Sequence, residues 1–147
     1  MIVFGSMYGN TETMAEAVAR GLSDAGVTTI RMHNVSTSHV SYIIRDIWRY
    51  QGLVLGSPTY DASVFPPMDG VLRLLSTKRI ANRHVGIFGS HGWAGGAVRT
   101  LTKFVAESGL ELVEPVIDAT FHGTGEQIEQ CHELGRQMAA RLQSECK

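Results

Sequence analysis

Apolar positions along this chain alternate between short unbroken runs and a recurrence of three to four residues. The first spacing suits strands and the second suits helices. Ile2–Phe4 is a short apolar run, and Asn10–Ala25 follows with Met14, Ala17, Val18 and Leu22 at helical spacing. Gly26 is placed to cap that helix at its C-terminus. Val27–His33 opens with β-branched residues and predicts a strand. Val40–Trp48 predicts a helix with Ile43, Ile44, Ile47 and Trp48 on one face. Leu53–Gly56 predicts a strand. Pro66 and Pro67 suit a helix start, continued by Met68, Val71, Leu72 and Leu75. Val85–Phe88 reads as a strand, Gly95–Ser108 as a helix with Val98, Leu101, Phe104 and Val105 inward, Leu112–Ile117 as a strand and Glu126–Gln143 as a final helix.

Strict alternation of strand and helix argues for an α/β fold, a parallel sheet with helices on both faces. "LVLG" (Leu53–Gly56) and "VGIFG" (Val85–Gly89) are almost wholly apolar, as strands buried on both sides must be. No repeat, low-complexity tract or linker interrupts the pattern, so residues 1–147 are expected to form a single domain. A hydrophobic fraction of 44% and a charged fraction of 18% are those of an ordinary globule. No apolar run approaches the roughly 18 residues of a membrane helix. The opening Met-Ile-Val-Phe-Gly lacks the basic and apolar regions of a signal peptide. A cytoplasmic location and no membrane partner are the expectation. The net charge of −1 provides neither a basic footprint for nucleic acid nor an acidic field for basic partners. Cys131 shares a helical stripe with Ile128, Met138 and Leu142, which predicts a buried thiol, and Cys146 lies at the end of the chain.

A parallel sheet sends every loop that follows a strand to one edge, where ligands bind. Three such loops carry the candidate chemistry. The first is Ser6-Met7-Tyr8-Gly9-Asn10-Thr11-Glu12-Thr13. It has hydroxyls, an amide and a glycine but no Lys or Arg, and it opens a helix. Backbone N–H groups at that positive end suit a phosphate monoester. The plain alternative is an ordinary helix cap. The second loop, Gly56–Pro67, gathers Ser57, Pro58, Thr59, Tyr60 and Asp61. Its backbone could bond the edge of a flat heterocycle, or it could be only a packed connection. The third is Gly89-Ser90-His91-Gly92-Trp93-Ala94-Gly95-Gly96, whose glycines let backbone approach a ligand. Trp93 there either stacks on an aromatic ligand or folds back onto the core. Together the three suit a phosphorylated flat ring system. GxxxxGK[ST] is absent, and GxGxxG is absent after the first strand, so neither a P-loop nor a dinucleotide site is indicated. The first strand also lacks the acidic residues of a phospho-receiver.

"GSMYGNTETMA" (Gly5–Ala15), "GSPTYDASVFPPM" (Gly56–Met68) and "FGSHGWAGGAV" (Phe88–Val98) resemble the flavodoxin family. They look most like the flavodoxin-like domain of A-type flavoproteins, the flavodiiron proteins. The resemblance covers nearly the whole chain. It implies a three-layer sandwich around a five-stranded parallel sheet of order 2-1-3-4-5, with one non-covalent FMN. It implies phosphate contacts from Ser6, Met7, Tyr8, Asn10 and Thr11 around Gly9. It implies ring contacts from Pro58, Thr59, Tyr60 and Asp61 beside Ser57, and from Ser90, Gly92, Trp93 and Gly95. Of the six histidines His91 is the clearest candidate for the rim. His33, His39, His84, His122 and His132 form no HxExD-type cluster and are expected mostly to face solvent, with no metal. Ala62 and Ser63 stand where related domains often have Asn.

The activity implied is electron transfer between redox partner proteins. The flavin carries the chemistry and the protein tunes it, with no catalytic side chain. Three alternatives stay open. One is an FMN-dependent quinone or porphyrin reductase. A second is a docking module without flavin. The third is a flavin domain working with a separate diiron subunit, which the short first strand would suit.

Overall fold

The computed structural model describes residues 1–121 and 123–146, so His122 lies outside the described residues. In chain order the elements are β1 (Ile2–Phe4), α1 (Asn10–Asp24), β2 (Met32–Asn34), α2 (Val40–Arg49), β3 (Gly52–Tyr60) and β4 (Ser63–Val64). They continue with α3 (Pro66–Thr77), β5 (His84–His91), α4 (Ala97–Glu107), β6 (Glu111–Thr120) and α5 (Gly125–Glu145). The main sheet has the order β2-β1-β3-β5-β6, and its pairings are all parallel.

The parallel α/β architecture is the one the periodicity predicts, with one strand more than expected. β4 pairs antiparallel with the end of β3, Thr59 opposite Val64 and Tyr60 opposite Ser63. A two-residue strand leaves no periodic signal, which is why the pattern missed it. Its turn is Asp61-Ala62, both residues at positive φ of 48° and 59°. That is the type I′ geometry that matches the strand twist of a two-residue hairpin. β3 and β5 also run further than their apolar runs indicate. Ser57–Tyr60 and Ser90–His91 are strand rather than open loop. Conversely β2 begins only at Met32. Val27 N–H instead donates to Leu22 O and closes the C-terminal turn of α1.

The period of two along the strands divides the core. Val3, Leu53, Leu55, Val85 and Ile87 face the layer built by α2, α3 and α4. Ile2, Phe4, Val54, Phe88, Val113 and Ile117 face α1 and α5. The latter pair approach so closely that backbone meets backbone. A Cβ on Gly21 would lie 1.9 Å from His132 O, and one on Gly135 would lie 2.2 Å from Val18 O. Cys131 is fully buried in this layer, and burial pushes its thiol up to about 12, so it packs as a small apolar group.

The histidines depart from expectation. Of the described histidines only His39 is exposed. His84 is buried, and His33, His91 and His132 are partly covered, each against a carboxylate. A histidine with an acidic partner can be covered with one ring nitrogen paired, although Nδ1 of His84 and of His132 lacks a hydrogen bond, and sequence spacing does not reveal such partners.

Candidate functional site

The C-terminal ends of β1, β3, β5 and β6 open onto a pocket of about 180 Å³. It is lined by Met7, Tyr8, Asn10, Thr11, Pro58, Thr59, Ser90, His91, Gly92 and Phe121. Nine of these ten belong to the three loops that the sequence singles out.

The first loop leaves a helix end open. Gly9 is the N-cap of α1 at φ 87°, a left-handed conformation that suits glycine, and among the described residues no side chain caps the helix. By contrast α5 starts with a full capping box, Thr124 with Gln127, and His39 caps α2. Ser6 Oγ accepts from Gly9 N–H at 3.0 Å and fixes the loop below the helix. The first-turn N–H groups of α1 therefore face the pocket without a capping acceptor, at the positive end of the helix. Among the described residues no Lys or Arg lines the pocket. Thr11, buried, places its hydroxyl 3.0 Å from Ser90 Oγ and ties this helix end to the end of β5.

The second loop spends its hydroxyls internally. Ser57 is buried, donates to Pro58 O at 2.9 Å and accepts from Phe65 N–H at 2.9 Å. Thr59 Oγ1 accepts from both Gly96 and Ala97 N–H at 3.2 Å, capping α4 from β3, the strand beside β5. These two residues shape the wall, while Pro58 and Thr59 line it. Tyr60 and Asp61 sit outside the pocket lining, exposed at the hairpin.

In the third loop His91 and Gly92 line the pocket, and His91 Nδ1 lies 2.9 Å from Asp118 Oδ1. Gly95 lies off the lining beside that pair, where a Cβ would meet Asp118 Oδ2 at 2.7 Å. Trp93 is 99% exposed, so it is not folded onto the core. It does not line the pocket and follows Gly92, which does, so its indole is free to meet a ring at the pocket mouth. Sequence reasoning missed Phe121, half-exposed after β6 and part of the lining. The topology held the signal, because the loop after the last strand emerges at the same edge. The residues present thus fit a phosphorylated aromatic ligand: open helix N–H groups, a pocket with polar and apolar lining, and an exposed indole beside it.

A profile of the family described as flavodoxin matches residues 2–135. The chain belongs to the flavodoxin family.

Among its relatives is an anaerobic nitric oxide reductase flavorubredoxin of Escherichia coli O1:K1 / APEC, 30% identical over 139 residues. That match takes in 94% of this chain and 29% of the relative, so the chain spans less than a third of the curated proteins it matches. The flavodiiron core from Synechocystis sp. PCC6803 superposes with a TM-score of 0.91 at 30% identity, over 98% of this chain and 36% of that one. A flavodoxin from the domain Archaea matches with a TM-score of 0.83 at 23% identity over 97% of both chains, which supports the fold alone. This flavodoxin-family domain is accordingly homologous to the flavin segment of flavodiiron proteins, and its family is one of FMN-dependent electron transfer. Among the described residues no helix is long and apolar enough to cross a membrane.

Proposed function

We propose that residues 1–147 act as one flavin-binding domain that holds a single non-covalent FMN at this rim and passes electrons between redox partner proteins. The observation that carries the reading is one pocket that joins the uncapped α1 N-terminus to the end of β5 at Gly92, with the wholly exposed Trp93 next in the chain. FMN, when bound, supplies one- and two-electron chemistry at its ring. The chain supplies the rest. The first-turn N–H groups of α1 and the Ser6–Thr11 loop hold the phosphate. Pro58 and Thr59 on one side and Ser90–Gly92 on the other would flank the ring, with Tyr60, Asp61, Trp93 and Gly95 beyond the lining as outer contacts, and the Thr11–Ser90 contact fixes the two sides relative to each other. No side chain acts as nucleophile or general base.

A cytoplasmic location belongs to the same proposal. It is supported by two unpaired thiols, Cys131 and Cys146. A second reading is favoured by the relatives. Homology to under a third of flavorubredoxin supports a role as the flavin unit of a diiron system, with the diiron site on another domain or subunit. The purified protein should show flavin absorption bands, and heating should release FMN into solution. A colourless protein that takes up no flavin would overturn the proposal.

A further inference from the structure

Alternation along β5 sends its last two side chains to opposite faces of the sheet. Ser90 turns to α1, where it meets Thr11. His91 follows Val85 and Ile87 onto the other face, that of the α4 layer. A Cβ on Gly89 would point the same way and meet Val98 of α4 at 2.8 Å. In register, Gly89 stands opposite Asp118 and His91 opposite Thr120 of β6. Asp118 and Thr120 therefore share a face with the imidazole and bracket it. Nδ1 lies 2.9 Å from Asp118 Oδ1, and Nε2 lies 3.5 Å from Thr120 Oγ1.

The loop that carries Trp93 runs between two anchors. At its start His91 is fastened to β6 by its ring and by its carbonyl, which accepts from Phe121 N–H at 2.8 Å. At its end Gly96 and Ala97 donate to Thr59 Oγ1, and a Cβ on Gly96 would lie 2.2 Å from Ala62 O. Gly95 folds back over the first anchor. Its φ lies outside the left-handed region, so what requires a glycine there is contact. A Cβ would stand 2.7 Å from Asp118 Oδ2 and 3.4 Å from His91 Nδ1. Trp93 and Ala94, at the bend between the anchors, stay exposed.

The His91 side chain is 19% exposed and that of Asp118 39%, and an ion pair so close to solvent adds little to global stability. Its consequence is positional. His91 and Gly92 line the pocket, whereas Asp118 does not. We propose, on the FMN-binding reading above, that Asp118 is a positioning residue for the flavin. Through His91 and Gly95 it sets the path of the Gly92–Gly95 loop, and so holds Trp93 where the indole meets the ring at the pocket mouth. A loop already held in its bound path loses less freedom when the ligand arrives. The Thr11–Ser90 contact serves the phosphate flank in this way, and the His91–Asp118 pair serves the ring flank.

FMN and riboflavin titrated separately into the flavin-free chain, with melting temperatures in parallel, test the assignment. Asp118→Ala should raise both dissociation constants by the same factor, at least about threefold. An equal factor marks an effect on the ring flank, because riboflavin has no phosphate. The melting temperature without flavin should stay within about 2 °C of the wild type. Asp118→Asn still offers an oxygen to the imidazole N–H and should restore the affinity. In a Trp93→Ala background, Asp118→Ala should cost nothing further, because the pair acts through the indole. Wild-type affinity in Asp118→Ala, a loss confined to FMN, a melting temperature several degrees lower, no restoration by Asp118→Asn, or additive losses in the double variant would each overturn the assignment and leave the FMN reading standing. A wild-type chain that binds no FMN would overturn both.

Discussion

The hydroxyls of Thr11 and Ser90 meet at 3.0 Å across 79 residues of sequence, joining the first turn of α1 to the end of β5. One flank of the pocket is thereby fixed against another before any ligand arrives. Preorganisation of this kind lowers the ordering cost of binding.

Thr11→Val keeps the shape and removes the hydroxyl, leaving Ser90 Oγ buried without that partner. A net hydrogen bond of about 0.5–1.5 kcal/mol should appear as a FMN dissociation constant raised about 2- to 12-fold. Flavin fluorescence quenching measures it. Lower stability with unchanged affinity would show that the pair serves the fold alone.

Trp93→Ala separates binding from folding. The indole is 99% exposed, so the flavin-free protein should keep its melting temperature. FMN affinity should fall by about 1–3 kcal/mol, the scale of a stacked aromatic. Unchanged affinity would remove Trp93 from the site.

The hairpin turn stores strain. Ala62 sits at φ 59°, a left-handed conformation that costs a non-glycine residue roughly 1–2 kcal/mol. Ala62→Gly should raise the melting temperature by about 2–4 °C after the extra unfolded-state entropy of glycine is counted. A lower melting temperature would mean that Ala62 holds this turn by contacts its methyl makes.

Most of the rim was legible because a parallel sheet allows its post-strand loops only one exit edge, so Met7–Thr11 and Ser90–Gly92 had to meet. What the hydroxyls do was not legible. Ser57 and Thr59 are polar residues in a ligand loop, yet their side chains bond Phe65 and the α4 N-terminus. Partners of that kind are set by tertiary packing. Phe121 and β4 escaped because neither belongs to a periodic run. The pairing of His84 with Glu111 depends on the strand register between β5 and β6.

Asp46 links pH to stability away from the rim. It is buried on α2 and accepts from Arg45 Nε at 3.0 Å, with His33 Nε2 at 2.7 Å. The Arg45 hydrogen bond, aided by His33 and opposed by burial, holds its carboxyl below the usual 3.8. A depressed carboxyl stabilises the fold above the unfolded value and loses that contribution as pH falls through the folded one. Stability should therefore drop as pH falls below about 4. Asp46→Asn should cost about 1–3 kcal/mol at pH 7 and flatten that acid limb. Urea melts between pH 7 and pH 2 test this, and an unchanged limb in the variant would assign the acid loss to other carboxyls.

The central claim is that backbone amides at the start of α1, without any cation, hold the phosphate of a flavin mononucleotide. Titration of the flavin-free protein with FMN and, separately, with riboflavin tests it most directly. FMN should bind one per chain and at least about tenfold more tightly than riboflavin, roughly 1.4 kcal/mol for the phosphate. Equal affinities, or no saturable binding of FMN, would contradict it.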